Sequence, residues 1–463
     1  MLRFALKTVH DPRNSLRENS CDSLFKCFRI VLPILIVFAI SHTLRASEDA
    51  SHQWAQWRGP LATGVAPFAD PPTEWSETKN IRWKIELPGK GHSTPVVWDD
   101  RIFITTAIAV GDSVPPPVRQ GAHDNMSTIQ RQDFVVMAIN RLDGKTLWQK
   151  TVNNDLPQGA HQSASFASNS PVTDGECVYA FFGSSGLYCL DMSGEIKWHT
   201  SLGQMHALHG HGEGNSPALS GDTLIVNWDH EGPSFIVALD KHTGHERWRT
   251  ERDEVTSWST PIVVENNGAK QIIVAATHRI RGYDFDTGKV IWECGGMSTN
   301  VVASPVAAAG MVYAGSSYEK RSMFGIRLDG ARGDITGTAQ VAWSRSHDTP
   351  YVPSPLLYDD KLYFLKHYQA VLFCITAKTG EPVYGPVRLP GLYDIYASPV
   401  AAAGRIYITS REGKTVVLKH GPEPEILAQN ELDEKFSASP ALVGKELFLR
   451  GEKHLYSISN TGF

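Results

Sequence analysis

At eight places along this chain, a Ser-Pro or Thr-Pro pair stands ahead of a short run of β-branched and aromatic residues. The pairs begin at Thr94, Ser170, Ser216, Thr260, Ser304, Ser354, Ser398 and Ser439. After a first gap of 76 residues, the spacings are 46, 44, 44, 50, 44 and 41 residues. A period in the forties is typical of repeat architectures in which each repeat is one supersecondary unit.

Each repeat contains about four strand-like segments. Proline is tolerated at the first residue of a strand, and a glycine such as Gly404 marks the tight turn that follows. Alternating apolar residues after that turn predict half-buried strands. Because four-stranded units repeated in a ring are propeller blades, we predict an all-β fold: a single eight-bladed β-propeller of four-stranded antiparallel blades.

Most repeats close with Asp-x-x-Thr-Gly-x-x-x-Trp or a near variant. Asp, Thr and Gly favour a chain reversal, and a tryptophan four residues later would bury its ring between neighbouring sheets. Packing therefore explains this phrase without a ligand. The predicted blade-docking residues are Trp83, Trp148, Trp198, Trp248, Trp292 and Trp343.

The last repeat lacks its tryptophan strand. After Ser439 the chain offers three strand-like runs before it ends, whereas a segment with the missing phrase lies upstream of the first repeat, around Trp83. We predict that this N-terminal strand completes the last blade and closes the ring, which leaves no sheet edge exposed. The propeller then covers residues 80–463, with an insertion at about 107–133 that is either a loop or a docking arm.

The start of the chain has the features of an export signal. An apolar run, Ile30 to Ile40, follows two basic residues and precedes a small-residue cleavage site near Ala46. It suits a signal peptide and is short for a membrane span, so we predict a signal peptide over 1–46 and an extension over 47–79. The predicted location is the periplasm or cell envelope, with an uncleaved leader as an alternative anchor. The mature chain is then expected to contain no membrane span.

Charge and cysteine content limit the chemistry further. Residues 1–46 hold seven Lys or Arg and three Asp or Glu, so the rest is more acidic than the net charge of −5 of the whole sequence. Such a surface has no electrostatic footprint for nucleic acid. The four cysteines beyond the leader are predicted to be buried thiols: Cys177, Cys189, Cys294 and Cys374. We expect a monomeric propeller.

The repeated Thr-Gly-x-x-x-Trp phrases with Ser/Thr-Pro starts resemble the pyrroloquinoline-quinone (PQQ) type of propeller repeat. That group includes quinoprotein alcohol dehydrogenases and the propeller lipoprotein of the outer-membrane barrel-assembly machinery. The stretch from Trp54 to Gly64 also looks like the opening of exported PQQ-like repeat proteins of unassigned function. The resemblance implies the eight-bladed fold and leaves the chemistry open.

The departures from this pattern matter for a cofactor. Quinoprotein alcohol dehydrogenases carry an adjacent cysteine pair and a calcium or lanthanide site, whereas this sequence has no adjacent cysteines. PQQ with calcium therefore remains an alternative, and no cofactor is assigned. The barrel-assembly relative is a lipoprotein, and no lipobox cysteine follows the apolar run here.

Polar and aromatic residues concentrate in the loops expected at one face of the propeller. The densest group lies in the loop before Ser216, and a second group lies in the hairpin loop of the same repeat. It predicts a ligand-binding funnel, with a hydrogen-bonded wall as the simpler interpretation. The candidates are His206, His209, His211, Glu213, Asn215, Trp228, Asp229, His230, Trp258, His278, Tyr351, His367, Tyr393 and Arg411.

A divalent metal is the alternative for part of this group, namely His209, His211, Glu213 and Asp229, although their spacing matches no known metal loop. No catalytic residue is assigned. The preferred hypothesis is an exported, non-catalytic scaffold that binds a protein or polymer of the cell envelope, with outer-membrane protein assembly as one such role. The alternatives are a PQQ- and metal-dependent oxidoreductase and a carbohydrate-binding propeller.

Overall fold

Eight antiparallel sheets, each with at least four strands, follow one another around a ring. The computed structural model describes residues 50–113, 124–126 and 130–460. These residues lie within one compact unit, Ala50–Phe463. The predicted leader and part of the predicted insertion fall outside the described residues.

The first nineteen strands form blades 1 to 4 and the outer strand of blade 8, with two short extra strands. In chain order they are β1 (Ile81–Glu86), β2 (Val96–Trp98), β3 (Arg101–Val110), β4 (Asn125–Met126), β5 (Arg131–Asn140), β6 (Thr146–Asp155), β7 (Ala160–His161), β8 (Val172–Thr173), β9 (Cys177–Phe181), β10 (Leu187–Asp191), β11 (Ile196–Thr200), β12 (Ala218–Ser220), β13 (Thr223–Trp228), β14 (Ser234–Asp240), β15 (Glu246–Arg252), β16 (Ile262–Asn266), β17 (Ala269–Ala275), β18 (Arg279–Asp284) and β19 (Val290–Gly295). Two short 3-10 turns lie at Gly183–Ser185 and Leu208–Gly210.

The second half completes the ring. These strands are β20 (Val306–Ala308), β21 (Met311–Ser316), β22 (Ser322–Arg327), β23 (Gly333–Asp334), β24 (Val341–Arg345), β25 (Leu356–Tyr358), β26 (Lys361–Leu365), β27 (Val371–Thr376), β28 (Pro382–Arg388), β29 (Val400–Ala402), β30 (Arg405–Thr409), β31 (Lys414–Lys419), β32 (Ile426–Glu431), β33 (Ala441–Val443), β34 (Glu446–Arg450) and β35 (His454–Ser459).

Blades 1 to 7 run from an inner to an outer strand in sequence order, whereas the outer strand of blade 8 is β1. Blades 1 to 4 are β2-β3-β5-β6, β8-β9-β10-β11, β12-β13-β14-β15 and β16-β17-β18-β19, and β23 adds a fifth, parallel strand to blade 4. Blades 5 to 8 are β20-β21-β22-β24, β25-β26-β27-β28, β29-β30-β31-β32 and β33-β34-β35-β1. Apolar cores lie between neighbouring blades; for example, Ile273 and Ile280 of blade 4 pack in one cluster with Val312 and Ile326 of blade 5.

The ring closes where the chain's first and last strands meet. β1 pairs antiparallel with β35, so that Trp83 stands opposite Ser457 and Glu86 opposite His454. The innermost strands contact their neighbours all the way around, including β33 of blade 8 with β2 of blade 1. The predicted eight-bladed all-β fold and its closure by the strand near Trp83 are confirmed.

The Ser/Thr-Pro pairs form a chain of hydrogen bonds between blades, a role that the sequence did not reveal. At seven junctions the backbone N–H of one Ser or Thr donates to the side-chain hydroxyl of the next, at 2.8–2.9 Å. The eighth link, from Ser439 of blade 8 to Thr94 of blade 1, is not formed. The buried Thr94 Oγ1 has no hydrogen-bond partner among the described residues.

Tryptophans of the outer strands dock onto the turn of the next blade. Trp248 of blade 3, for example, donates its indole N–H to the Phe285 carbonyl at 3.0 Å. Gly288 of that turn lies against the ring, where an added Cβ would be 2.3 Å from it. Trp83, Trp148, Trp198 and Trp343 make the same bond at 2.8–2.9 Å. Trp292 differs, because its N–H donates to Gln271 Oε1 within its own blade.

The two faces of the ring are defined by their loops. The upper face carries the loops between blades and the hairpins between the second and third strands. The lower face carries the remaining turns and the N-terminal extension, which bonds to the inner strands of several blades through Trp54 to Val97, Thr63 to Leu357 and Gly64 to Ala401. Arg58 of this segment is buried and donates to the Pro355 and Pro399 carbonyls.

The predicted insertion of blade 1 begins and ends as regular strand. β3 and β5 remain paired out to Val110 and Arg131, and β4 pairs with β7 at the loop into blade 2. Residues 114–123 and 127–129 lie outside the described part. The four described cysteines are free thiols, three of them buried. No helix among the described residues is long and apolar enough to span a bilayer.

Candidate functional site

The loop into blade 3 and the hairpin of that blade meet at the upper face. The backbone N–H of His206 donates to His230 Nδ1 at 3.1 Å, and the N–H of Glu231 donates to the His206 carbonyl at 2.9 Å. Burial lowers the pKa of His230, so its ring is neutral and suited to accept this bond. These two predicted residues therefore hold the loops together.

Three histidines form a cluster beside this contact. The rings of His161 and His211 lie 4.9 Å apart, and those of His211 and His209 lie 5.3 Å apart. Trp258 lies at the edge of the cluster and donates its indole N–H to the Gly212 carbonyl at 2.8 Å. Within the described ranges, no three His, Cys, Asp or Glu side chains are arranged to hold a metal ion.

Glu213 binds the neighbouring blade. Its carboxylate accepts hydrogen bonds from the Ser184 N–H and hydroxyl, both at 2.5 Å. Burial raises the pKa of Glu213 to about 7, although these two bonds oppose the rise. The residue also lines a small crevice with a volume of about 40 Å³, partly open to solvent, between loops of blades 1 and 2. Glu213 is thus a protonation-sensitive link at the junction of blades 2 and 3.

Asp229 lies between blades and away from the funnel wall. Its carboxylate pairs with Arg252, at 2.7 and 3.0 Å, and accepts from the Ser257 hydroxyl at 2.6 Å. Arg252 also bonds the Tyr283 hydroxyl of blade 4. Both charged side chains have no exposed surface. The residues suggested as metal ligands therefore have separate roles. Asp229 forms a buried ion pair with Arg252, and Glu213 accepts hydrogen bonds from Ser184.

Two other candidates are structural. Trp228 is 1% exposed and stacks on Phe235, with ring centroids 5.6 Å apart. Asn215 is buried, and its side-chain amide donates to the Asn227 carbonyl. Neither side chain is available to a ligand. The sequence could not separate them from funnel residues, because both follow the same loop pattern.

His278 lies above a second group of charges at the junction of blades 3 and 4. Its N–H donates to buried Glu254 at 2.8 Å, and its ring faces the Asp253 carbonyl. Burial raises the pKa of Glu254, while Arg281 lies 3.4 Å from its other oxygen. His278 itself is exposed, so it remains a candidate for contact with a partner.

A row of aromatic rings crosses blades 5 to 7 on the upper face. Its members, called here the aromatic row, are Tyr318, Tyr351, His367, Tyr368 and Tyr396. The ring centroids of Tyr318 and Tyr351 lie 5.7 Å apart, and those of Tyr351 and His367 lie 4.6 Å apart. The centroids of His367 and Tyr368 lie 4.3 Å apart, and those of Tyr368 and Tyr396 lie 5.8 Å apart.

The aromatic row ends at the side chain of Arg411, and exposed tyrosines lie on the same face. The Arg411 guanidinium lies 4.8 Å from the centroid of the Tyr396 ring. Tyr318 is 46% exposed and Tyr393, on the loop before Tyr396, is 68% exposed. The structure thus brings Tyr351, His367 and Arg411 together. Tyr393 is on the same face, but none of its ring contacts joins it to the row.

The row is held by backbone bonds between loops. The Tyr351 N–H donates to the His367 carbonyl at 3.2 Å, and the Ile395 N–H donates to the Tyr368 carbonyl at 2.9 Å. The Ser317 hydroxyl lies 2.8 Å from His367 Nδ1. Burial lowers the pKa of His367. The rings are therefore positioned by the scaffold before any ligand arrives.

PQQ with calcium does not fit this arrangement. The free thiols closest in sequence, Cys177 and Cys189, lie on adjacent strands of the blade 2 sheet, where Cys177 stands opposite Asp191 and Cys189 opposite Tyr179. A vicinal pair over a ring cofactor is therefore missing, and the described residues contain no three-ligand metal group.

Three upper-face residues, His92, Lys90 and Tyr396, are absent from the candidates drawn from the sequence. His92 and Lys90 precede the first Ser/Thr-Pro strand, and Tyr396 precedes the seventh. His92 and Tyr396 stand two residues before their Ser/Thr-Pro pairs, as Trp258 does, and this position is the signal that could have identified them. Arg450, at the end of β34, lies beside Ser93 because the ring closes there.

Solved structures share this fold at low sequence identity. BamB from Moraxella catarrhalis matches with a TM-score of 0.54 and 14% identity, over 82% of this chain and 99% of that one. The quinohemoprotein alcohol dehydrogenase from Comamonas testosteroni matches with a TM-score of 0.61 and 11% identity, over 91% and 82%. A europium-containing methanol dehydrogenase matches with a TM-score of 0.60 and 9% identity, over 90% and 100%. At such identities the likeness concerns the fold alone.

Comparison of the sequence with protein families identifies the family more narrowly than the fold does. No curated protein matches the chain significantly. A family model described as outer membrane protein assembly factor BamB matches residues 73–206 and 132–384. Because these matches together cover more than half of the sequence, the chain belongs to that family of PQQ-like β-propellers.

Proposed function

We propose that this chain is an exported, non-catalytic propeller that binds a protein of the cell envelope through the aromatic row. The observation that carries the proposal is the row itself: four tyrosines and a histidine in mutual contact across three blades, ending at Arg411. Tyrosine and arginine are enriched at the centres of protein interfaces.

Two further features support a protein partner. The row is fixed by inter-loop bonds, so little side-chain entropy would be lost on binding. The family description names an assembly factor of outer membrane proteins, which makes an envelope protein the natural class of partner. The acidic surface expected for the exported chain disfavours nucleic acid.

Site-specific photo-crosslinking in cells tests this proposal. A photoreactive amino acid replaces Tyr318 or Tyr393 on the upper face, and Leu142 on the lower face serves as a control of similar exposure, 54%. We expect one envelope protein to be captured from the upper positions, to be absent at Leu142, and to be lost when Tyr351→Ala is added. Equal capture at Leu142, or capture that survives Tyr351→Ala, would contradict the proposal.

Carbohydrate binding is a second candidate, favoured by the exposed tyrosine faces at Tyr318 and Tyr393. Aromatic faces stack on sugar rings as readily as on apolar side chains. A glycan array screened with the full chain and with Tyr351→Ala separates the two. Saturable binding to one glycan class that is lost in the variant, without a protein adduct in cells, would replace the first proposal by this one.

A further inference from the structure

Arg450 is a buried cation without a carboxylate. It is 2% exposed, and its Nη1 donates only to the carbonyl and hydroxyl of Ser93. Its Nε has no hydrogen-bond partner within the described part of the chain. Arg252, which is equally buried, has Asp229 in contact at 2.7 Å. A buried charge left unpaired in this way is costly, and an anion bound beside it would offset that cost.

Polar and charged groups of neighbouring loops act on the same place. His92 adjoins Ser93, and burial lowers its pKa to about 3, helped by the charges of Lys90, Arg450 and Arg411, so its ring is neutral and offers one N–H donor. Its Nε2 is buried and without a partner, as is Nε of Arg411. Across the described ranges, none of Lys90, Arg411 and Arg450 forms an ion pair. The upper end of the blade 8–1 junction is therefore a cluster of cations with unused donors.

The backbone leaves room for this cluster. Gly91 permits the guanidinium to approach, since an added Cβ would lie 2.2 Å from Arg450 Nη2. The Thr94 hydroxyl, whose link to Ser439 is not formed, and the Ser410 hydroxyl beside Arg411 are buried and have no partner among the residues that the structure describes. Hydroxyl and N–H donors are the groups that bind oxyanions in proteins.

We propose that the upper end of the blade 8–1 junction binds a small oxyanion with at least two negative charges, held by Arg450, His92 and Arg411. The class comprises phosphate and short dicarboxylates. A metal cation is disfavoured by the same positive charges. This site is separate from the aromatic row except at Arg411, whose guanidinium lies beside Tyr396.

Calorimetric titration of the full chain at constant ionic strength tests the proposal, with inorganic phosphate and malonate as separate ligands and chloride as the blank. We expect one saturable site per chain for phosphate, malonate or both, and the stronger ligand identifies the source. Arg411→Gln and Arg450→Gln should each weaken binding about tenfold or more. The control Arg388→Gln, an exposed arginine of β28, should leave it unchanged.

Each outcome decides the matter. Absence of saturable binding of both anions overturns the proposal, as does binding that both variants retain. If Arg450→Gln does not fold, His92→Gln replaces it, because His92 lies on a loop. Failure here leaves the proposed protein-binding function standing, since Tyr351→Ala tests that function through a residue outside the cation cluster.

Discussion

Two blade junctions bury an arginine in different ways. Between blades 3 and 4, Ser216 donates to the Thr260 hydroxyl at 2.9 Å, and Arg252 is paired with Asp229. Between blades 8 and 1, the equivalent hydroxyl of Thr94 has no partner and Arg450 has no carboxylate within the described part of the chain. The first junction lies within a continuous chain, whereas the second is made by the two ends of the propeller. The hydroxyl link is made at the first junction and open at the closing junction, where Thr94 Oγ1 and Arg450 Nε have no partner among the described residues.

The largest expected effect concerns the docking tryptophans of these junctions. Trp83→Ala removes the ring that packs on Gly144 and bonds the Arg141 carbonyl, and should lower the free energy of unfolding by about 3–5 kcal/mol. Trp248→Ala removes the matching contact between blades 3 and 4. We expect Trp83→Ala to cost more, because β1 is held to blade 8 only by non-covalent contacts. Urea denaturation measures both variants, and an equal or larger cost for Trp248→Ala would show that closure is not the weaker junction.

The fold could be predicted from the periodicity of the sequence. The contact between Arg450 and Ser93 could not, because it forms only when the ring closes. Regular Ser/Thr-Pro spacing and the displaced strand at Trp83 were visible in the sequence because each repeat packs by the same local rules. Arg450 and Ser93, by contrast, are 357 positions apart and meet only in the closed ring. Asp229 illustrates the other limit. Its loop position suggested a ligand, but the pairing with Arg252 arises from strand register between blades, which sequence pattern does not reveal.

The buried arginines offer a second test of the comparison. Asp229→Asn leaves Arg252 buried without a counter-charge and should cost about 3–5 kcal/mol of unfolding free energy. Arg450→Met, measured in buffer without oxyanions, should leave stability unchanged or raise it by up to about 2 kcal/mol, because an unpaired buried charge is removed. Chemical denaturation measures both. A large loss in Arg450→Met would mean that the Ser93 bonds alone stabilise the closing junction.

Two upper-face loops, at the blade 2–3 junction and at the closing junction, should respond to pH with opposite sign. Glu213 has its pKa raised by burial to about 7, so it is protonated in the folded state and its contribution is lost as pH rises from about 4.5 to 7. His92 has its pKa lowered by burial to about 3, so its contribution is lost as pH falls below about 6.5.

Thermal unfolding between pH 5 and 7 separates these two effects, each of order 1–3 kcal/mol. In Glu213→Gln only the His92 effect remains, so the stability should rise with pH. In His92→Gln only the Glu213 effect remains, so the stability should fall with pH. Identical profiles for the two variants would remove both assignments.

The smallest effect isolates the hydroxyl link itself. Thr260→Val removes the acceptor for the Ser216 N–H and leaves that buried donor unsatisfied, which should cost about 1–3 kcal/mol. Thr94→Val is the same chemical change at the closing junction. There the hydroxyl has no partner, so its removal should change stability by less than about 0.5 kcal/mol or stabilise the fold slightly. Equal losses in the two variants would show that the Thr94 hydroxyl is bonded in solution and that the closing junction is built like the other seven.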